Sequence, residues 1–229
     1  MKKKILVYLL IIMGLVLVIT SCKKDDNKNQ APSGTVKDID GNVYHYVTIG
    51  TQVWMVENLK VTHFRNGDAI PEVTDHSWNN LGTIAYCNYE NTRNKDTIAT
   101  YGRLYNWYAV HDSRNIAPSG WHVPADDEWT KLTEYLGGES IACAKIQEPG
   151  TLHWLNNNNE GATNETGFTA LPGGRRHHTD EFGFMREYGY WWSTTEHLTS
   201  FAWYRFMDWN FDRKYDYKGN GFSVRCVKD

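Results

Sequence analysis

The 229-residue chain lacks an excess of positive charge: 24 lysines and arginines stand against 27 aspartates and glutamates, a formal charge of −3. Capture of nucleic acid needs clustered, unopposed basic residues, so a nucleic-acid partner is excluded. The apolar run at the amino terminus, Ile5 to Ile19, stops at 15 residues, whereas a membrane-spanning helix needs ~20. Gly-x-Ser-x-Gly, the nucleophile elbow of many serine hydrolases, is missing, and so is the Gly-x-x-x-x-Gly-Lys phosphate cradle. No tryptophan precedes Trp54, which puts the folded part downstream of the amino-terminal segment. What the chain has in quantity is aromatic: 10 Trp, 14 Tyr and 8 Phe, 14% of all residues. With 41% hydrophobic and 22% charged residues it suits one domain of ~100–200 residues or two small ones, and disorder throughout is ruled out.

Lys2, Lys3 and Lys4 precede the apolar run, and Ile19-Thr20-Ser21-Cys22 closes it. A basic stretch, a short apolar stretch and small residues before a cleavage point make a secretory signal, assigned here to residues 1–21. The last four residues resemble the bacterial lipobox, which implies lipidation of Cys22 and a membrane partner engaged through the lipid. Several acyl chains on one cysteine anchor durably where one chain alone does not. Removing 21 residues with three lysines leaves 208 residues and shifts the formal charge from −3 to −6. Residues 22–34 carry almost no apolar side chain and form a tether, spanning ~20 Å as a coil. Lys24-Asp25-Asp26, just after the cysteine, is similar to the export signal of Bacteroidetes surface lipoproteins, implying an outer-membrane location facing the exterior; solvated linker charge is the alternative.

Residues 35–229 are read as one domain. Thr35 to Ile39 and Val43 to Ile49 flank Asp40-Gly41-Asn42, which predicts a hairpin with a type I′ turn. Gly50-Thr51 turns the chain into a third antiparallel strand at Val53 to Val56. The spacing of Leu104, Trp107, Tyr108 and Val110 predicts a helix over 102–110. A second helix is predicted from Ala125 to Leu136: Pro124 stops the preceding strand, and Asp126, Asp127 and Glu128 fill a first turn where the macrodipole favours acids. Gly137 ends it. Beyond Glu139 strands and loops are expected, at Gly167–Leu171, Tyr190–Ser193, Ala202–Phe206 and Gly221–Val227. Two main helices with short twisted antiparallel sheets behind a β-hairpin or meander give the class α+β.

Gly102-Arg103-Leu104-Tyr105-Asn106-Trp107-Tyr108-Ala109-Val110, Pro118-Ser119-Gly120-Trp121-His122-Val123-Pro124, Gly167-Phe168-Thr169-Ala170-Leu171-Pro172-Gly173-Gly174, Gly189-Tyr190-Trp191-Trp192-Ser193 and Gly221-Phe222-Ser223-Val224-Arg225-Cys226-Val227 resemble, in order, the signatures of the Fibrobacter succinogenes major paralogous domain. That family is found on surface or secreted bacterial lipoproteins and has no agreed activity. The resemblance implies a C-type-lectin-like domain distantly similar to formylglycine-generating enzymes. The chain departs from the pattern at Ala125, where the family usually has Thr, and at Cys143, where it usually has Gly.

With Cys22 lipidated, Cys87, Cys143 and Cys226 remain, so at most one disulfide can form. Either all three are small buried hydrophobes or Cys87 pairs with Cys226, and both of those occupy family-like positions. Formylglycine-generating enzymes use a copper-binding cysteine pair, which makes Cys143 with Cys226 the enzymatic alternative. Asp38-Ile39-Asp40-Gly41-Asn42 is a turn and not a calcium loop, because its Gly is fourth where an EF-hand needs it sixth. His177-His178-Thr179-Asp180 reads as solvated loop polarity, since adjacent residues in an extended chain point apart. No cofactor is expected. Calcium is the alternative, through Asn156, Asn158, Glu160, Gly161 and Asn164, but Gly167 replaces the bidentate Glu such a loop requires. Glu148-Pro149-Gly150 echoes the sugar motif of calcium lectins, with Gly in place of the amide ligand.

Trp192 and the segment Asp208, Trp209, Asn210 and Asp212 are the ligand-binding candidates, because Trp offers large rigid area with a polar tip. The first functional reading is a non-enzymatic surface lipoprotein that binds polysaccharide or protein. The alternatives are a structural subunit of an outer-membrane protein complex and a cysteine/copper oxidase.

Overall fold

The computed structural model describes residues 33–155 and 160–229. Cys22, the signal segment and almost all of the tether, and Asn156 and Asn158 of the calcium reading, lie outside the described residues. Three strands open the domain: β1 (Gly34–Lys37), β2 (Val43–Ile49) and β3 (Gln52–Met55). They form an antiparallel meander in which Lys37 faces Val43 and Ile49 faces Gln52. The first connection is longer than a two-residue type I′ turn. Asp38, 8% exposed, folds residues 38–42 around its carboxylate, which accepts the Asn42 N–H and Nδ2 at 2.9 and 2.8 Å and the Tyr44 hydroxyl at 2.6 Å.

Short elements follow: β4 (Tyr86–Cys87), α1 (Lys95–Tyr101), β5 (Leu104–Tyr105), α2 (Trp107–Val110) and β6 (Trp121–His122). The helix expected over 102–110 is therefore mostly absent. Gly102, at φ +76°, ends α1, and Leu104 and Tyr105 pair with β4. Asn106 then accepts the Ala109 N–H at 3.2 Å and starts a single helical turn. An Asn side chain competes for backbone groups inside a helix but caps one well. Helix α1 has no buried residue and so carries no apolar stripe by which its sequence would mark it as a helix.

Helix α3 (Asp126–Leu136) lies within one residue of its predicted start, with Gly137 left-handed at its end. Ala125 occupies the cap position and offers no side-chain acceptor; instead, the Glu128 carboxylate takes the Ala125 N–H at 2.8 Å and Thr195 Oγ1 takes that of Asp126 at 3.0 Å. A hydroxyl at 125 supplies the missing acceptor, contributing ~1 kcal/mol. Ala125→Thr is expected to raise the melting temperature by about 2–4 °C, read by calorimetry.

A further helix, α4 (Glu139–Ile146), stands where strands and loops were expected. Ala142, Cys143 and Ile146 are buried while Ile141 is 52% exposed, so its apolar residues ring the helix and give no face for a periodicity reading. The remaining strands are β7 (Gly173–Arg176), β8 (Phe182–Met185), β9 (Gly189–Leu198), β10 (Phe201–Met207), β11 (Phe211–Tyr217) and β12 (Val227–Lys228). The run Gly167–Leu171 makes only a bridge, Ala170 to Gln147, and Phe222 and Ser223 make single bridges to Tyr105 and Trp191.

Among the described residues the sheets run β1-β2-β3-β12-β6, β11-β10-β9, β4-β5 and β7-β8. With four helices and these antiparallel sheets the class is α+β. Strand β9 divides the core in two: Tyr190 and Trp192 enter one cluster with Tyr105, Trp107 and Phe222, while Trp191 enters another with Trp54, Trp129, Phe168 and Phe211 beneath α3 and α4. Both tryptophans of the pair are thus interior, on opposite faces. Each large ring removes about 150–250 Å² from water, about 4–6 kcal/mol at ~25 cal/mol/Å² before entropy.

A buried cation ties the two clusters together. Arg225, 1% exposed, donates to Asn58 Oδ1 at 2.9 and 3.1 Å, to the Phe168 carbonyl at 2.7 Å and to the Met55 carbonyl at 3.2 Å. The same Asn58 oxygen accepts Trp191 Nε1 at 2.9 Å. No carboxylate is among its hydrogen-bond partners, so the charge is held by oriented dipoles.

His122 clamps the end of the chain to α3. Its ring nitrogens lie 2.7 Å from Asp229 Oδ1 and 2.9 Å from Glu128 Oε1. Partial burial works to lower its pKa, but hydrogen bonds to Asp229 and Glu128 outweigh this and raise it. The folded state therefore holds this proton more tightly than the unfolded chain. The resulting stability is fully present below the unfolded value of ~6.5 and is lost as pH rises through the raised folded value. The stability advantage of the wild type over His122→Gln is expected to be largest near pH 5.5 and to shrink toward pH 9, measured by urea midpoints.

Candidate functional site

Cys87, Cys143 and Cys226 are all free and buried, so the Cys87–Cys226 pairing does not form and the buried-hydrophobe alternative describes them. Cys87 packs with Trp78, Ala85 and Leu104, Cys226 sits in the cluster of Tyr105 and Phe222, and Cys143 lies on the buried side of α4 in the cluster of Trp129. Burial pushes the Cys87 and Cys143 thiols up to about 12 and that of Cys226 higher still. A copper-binding pair needs two accessible thiolates converging on one point, and Cys143 and Cys226 belong to different core clusters. Cys143 instead directs its Sγ to Gln147 Oε1 at 3.7 Å and the Asp208 carbonyl at 3.8 Å.

The predicted ligand-binding residues are not brought together. Trp192 is fully buried and donates its Nε1 to the Tyr105 carbonyl at 2.9 Å; packing against Tyr204 and Phe222 places it in the core, which corrects its assignment to a binding surface. Asp208, Trp209 and Asn210 form the three-residue turn between β10 and β11, where Met207 faces Phe211. Asp208 Oδ1 accepts the Asn210 N–H at 2.9 Å, which presents Trp209 to solvent at 67% exposure. Asp212 points its carboxylate 3.2 Å from Lys214 Nζ.

The larger exposed aromatic feature lies at the opposite end of the same hairpin. Alternation along β10 and β11 puts Phe201, Trp203, Arg205 and Met207 on one face with Arg213, Tyr215 and Tyr217. Helices α3 and α4 cover this face over Met207 and Phe211, both fully buried. Arg205 and Arg213 mark the edge of that cover, converging on Asp126 at 3.7 and 2.7 Å. Asp126 is thus an ion-pair hub at the start of α3 as well as an acid favoured by the macrodipole. Beyond it the face is open.

On the open part the rings touch in a continuous chain. Trp203 and Tyr215 lie 4.4 and 4.2 Å from His197, Phe201 lies 4.5 Å from Tyr217, Tyr217 lies 4.3 Å from His178, and His178 lies 4.1 Å from His177. Tyr215 and Tyr217 are 51% and 43% exposed. The Arg213 guanidinium stacks over Trp203 at 3.4 Å. At the far end His177 also borders a cleft of about 290 Å³ with Arg175, Glu181 and Phe184. Phe184 and Arg186 there adopt φ +68°, a strained region for bulky residues.

Sequence reading missed this face because its members come from four separate strands and loops and meet only once β10 and β11 pair in register. The alternation of Phe211, Arg213, Tyr215 and Tyr217 was the available local signal. Among the described residues no group of three or more His, Cys, Asp and Glu side chains is placed to hold a metal ion, and no helix is long and apolar enough to cross a membrane. The family model of the Fibrobacter succinogenes major domain matches residues 47–228. No curated protein and no solved structure matches the chain.

Proposed function

The chain belongs to the Fibrobacter succinogenes major domain family, whose name carries no activity, and from that premise we propose a binding module displayed on the bacterial surface. In this reading Cys22 is lipidated, the protein sits in the outer membrane facing outward, and residues 35–229 form a C-type-lectin-like domain that binds polysaccharide or protein without catalysis. The open face formed by Trp203, Tyr215 and Tyr217 carries the reading. Exposed Tyr and Trp rings fixed on paired strands offer recognition area at little entropic cost. The separation of Cys143 from Cys226 weighs against the cysteine/copper alternative. A structural subunit of an outer-membrane complex would also use an exposed face, but it would bind a membrane protein and no soluble polymer.

The test is retention of the intact chain, kept in detergent, on immobilised polysaccharides and extracellular-matrix proteins. Tyr215→Ala with Tyr217→Ala is expected to weaken retention about tenfold or more, since each lost ring contact contributes about 0.5–1.5 kcal/mol. Trp209→Ala, at the other end of the hairpin, separates this face from the turn. Retention unchanged in the double variant and lost in Trp209→Ala would move the site to the Asp208–Asn210 turn.

A further inference from the structure

Resting on that binding reading, we propose that the open ring face takes an uncharged polysaccharide chain laid along β11, from Trp203 over Tyr215 and Tyr217 toward the cleft at His177.

The shape of the face points to a polymer. The five residues from Arg213 to Tyr217 span ~13 Å over four steps of strand, and the contacts of Tyr217 with His178 and of His178 with His177 prolong the track to a cleft. A row of rings in successive contact suits an extended polymer better than a single small sugar. Its rings have apolar faces and polar tips, matching a ligand whose own rings have C–H faces and hydroxyl edges.

Charge bears on the ligand class as well. The Arg213 guanidinium on this face is engaged with Asp126 at 2.7 Å, and Arg175 of the cleft is stacked near Phe184 and Tyr190 with Asp216 at 3.8 Å. An anionic polymer would have to break these pairs or leave its own charges unmatched. Burial, together with the neighbouring His178 and Arg175, pulls the pKa of His177 down.

Strand addition by a peptide is disfavoured on this edge. A peptide adding to β11 needs the free hydrogen-bonding groups of its outer edge. Glu139 Oε1 accepts the Arg213 N–H there at 3.1 Å, and the Asp216 side chain accepts the Tyr217 N–H at 2.8 Å.

Affinity electrophoresis of the intact chain in detergent tests this, with gels containing hydroxyethyl cellulose, a soluble β-1,3-glucan or α-mannan, and in parallel polygalacturonate or chondroitin sulfate. The expected result is retardation by at least one neutral polymer, changing less than twofold between ~0.01 and ~1 M salt, over which the Debye length falls from about 30 to 3 Å. Tyr215→Ala with Tyr217→Ala should abolish it at unchanged melting temperature, and Tyr215→Trp should keep it. Retardation confined to the anionic polymers and erased by salt overturns the uncharged class. Binding confined to an immobilised matrix protein overturns it as well; in both cases the binding reading stands if the double variant loses the interaction. Absence of retention on every polymer and protein overturns the inference and the binding reading together.

Discussion

Arg225→Ala is expected to lower the unfolding free energy by about 3–5 kcal/mol, the range seen when one member of a buried charged network is removed. The substitution strands the Phe168 and Met55 carbonyls and leaves Asn58 Oδ1 with Trp191 Nε1; each unmatched buried acceptor costs about 1–3 kcal/mol. It also empties space against the Phe168 ring, which the guanidinium overlies at 4.4 Å. Arg225→Lys should recover less than half of the loss, because an ammonium cannot reproduce a planar fork reaching a side-chain amide and two carbonyls at once. Urea denaturation checks both, with the exposed Arg93→Ala expected to stay within ±0.5 kcal/mol. A loss below ~1 kcal/mol for Arg225→Ala would mean that the dipoles around it are satisfied without the charge.

Gly174→Ala is the second large effect expected. Gly174 adopts φ +65°, and a Cβ there would stand 2.6 Å from the Met185 nitrogen, 2.7 Å from the Gly183 carbonyl oxygen and 2.8 Å from a Tyr89 ring carbon. Two of these are backbone atoms, so relief requires β7 and β8 to separate. The left-handed conformation costs an alanine roughly 1–2 kcal/mol and the forced shift about 1–3. A total near ~3 kcal/mol corresponds to a melting temperature lower by about 6–12 °C. Gly183→Ala, across the same hairpin with no atom within 4 Å of the new carbon, should melt within ~2 °C of the wild type. Because Arg175 follows Gly174 and borders the cleft, Gly174→Ala should also weaken ligand retention.

The legible parts of the fold are those where several local signals agree. Helix α3 had Pro124 before it, three acids in its first turn and Gly137 after it, and the meander had Gly50 between alternating runs. Helix α4 had no stripe, and Leu104 to Val110 carried a helical spacing that Gly102 and Asn106 overrule. For the site, composition marked aromatic rings as the material of recognition, and local sequence pointed to Trp192 and Trp209. Which rings face water depends on partners distant in the chain. Trp192 is enclosed because Phe222 and Tyr204 close over it, while Tyr215 is open because α3 ends its cover at Asp126. The cysteines follow the same rule: their number limited the pairing, but only the division of the core into separate clusters keeps them apart.

The position of β12 governs when the molecule can become itself. Val227 sits between Trp54 of β3 and His122 of β6, and just before it the Val224 and Cys226 carbonyls receive Leu59 and Met55. A chain emerging amino terminus first therefore has its opening meander and β6 ready but nothing to join them until residues 222–228 arrive. At ~5–20 residues per second that interval is about 5–20 seconds. During it the ring-rich segments remain solvent-accessible and available to whatever escorts the chain. Late closure makes residues 222–228 the latch of the domain.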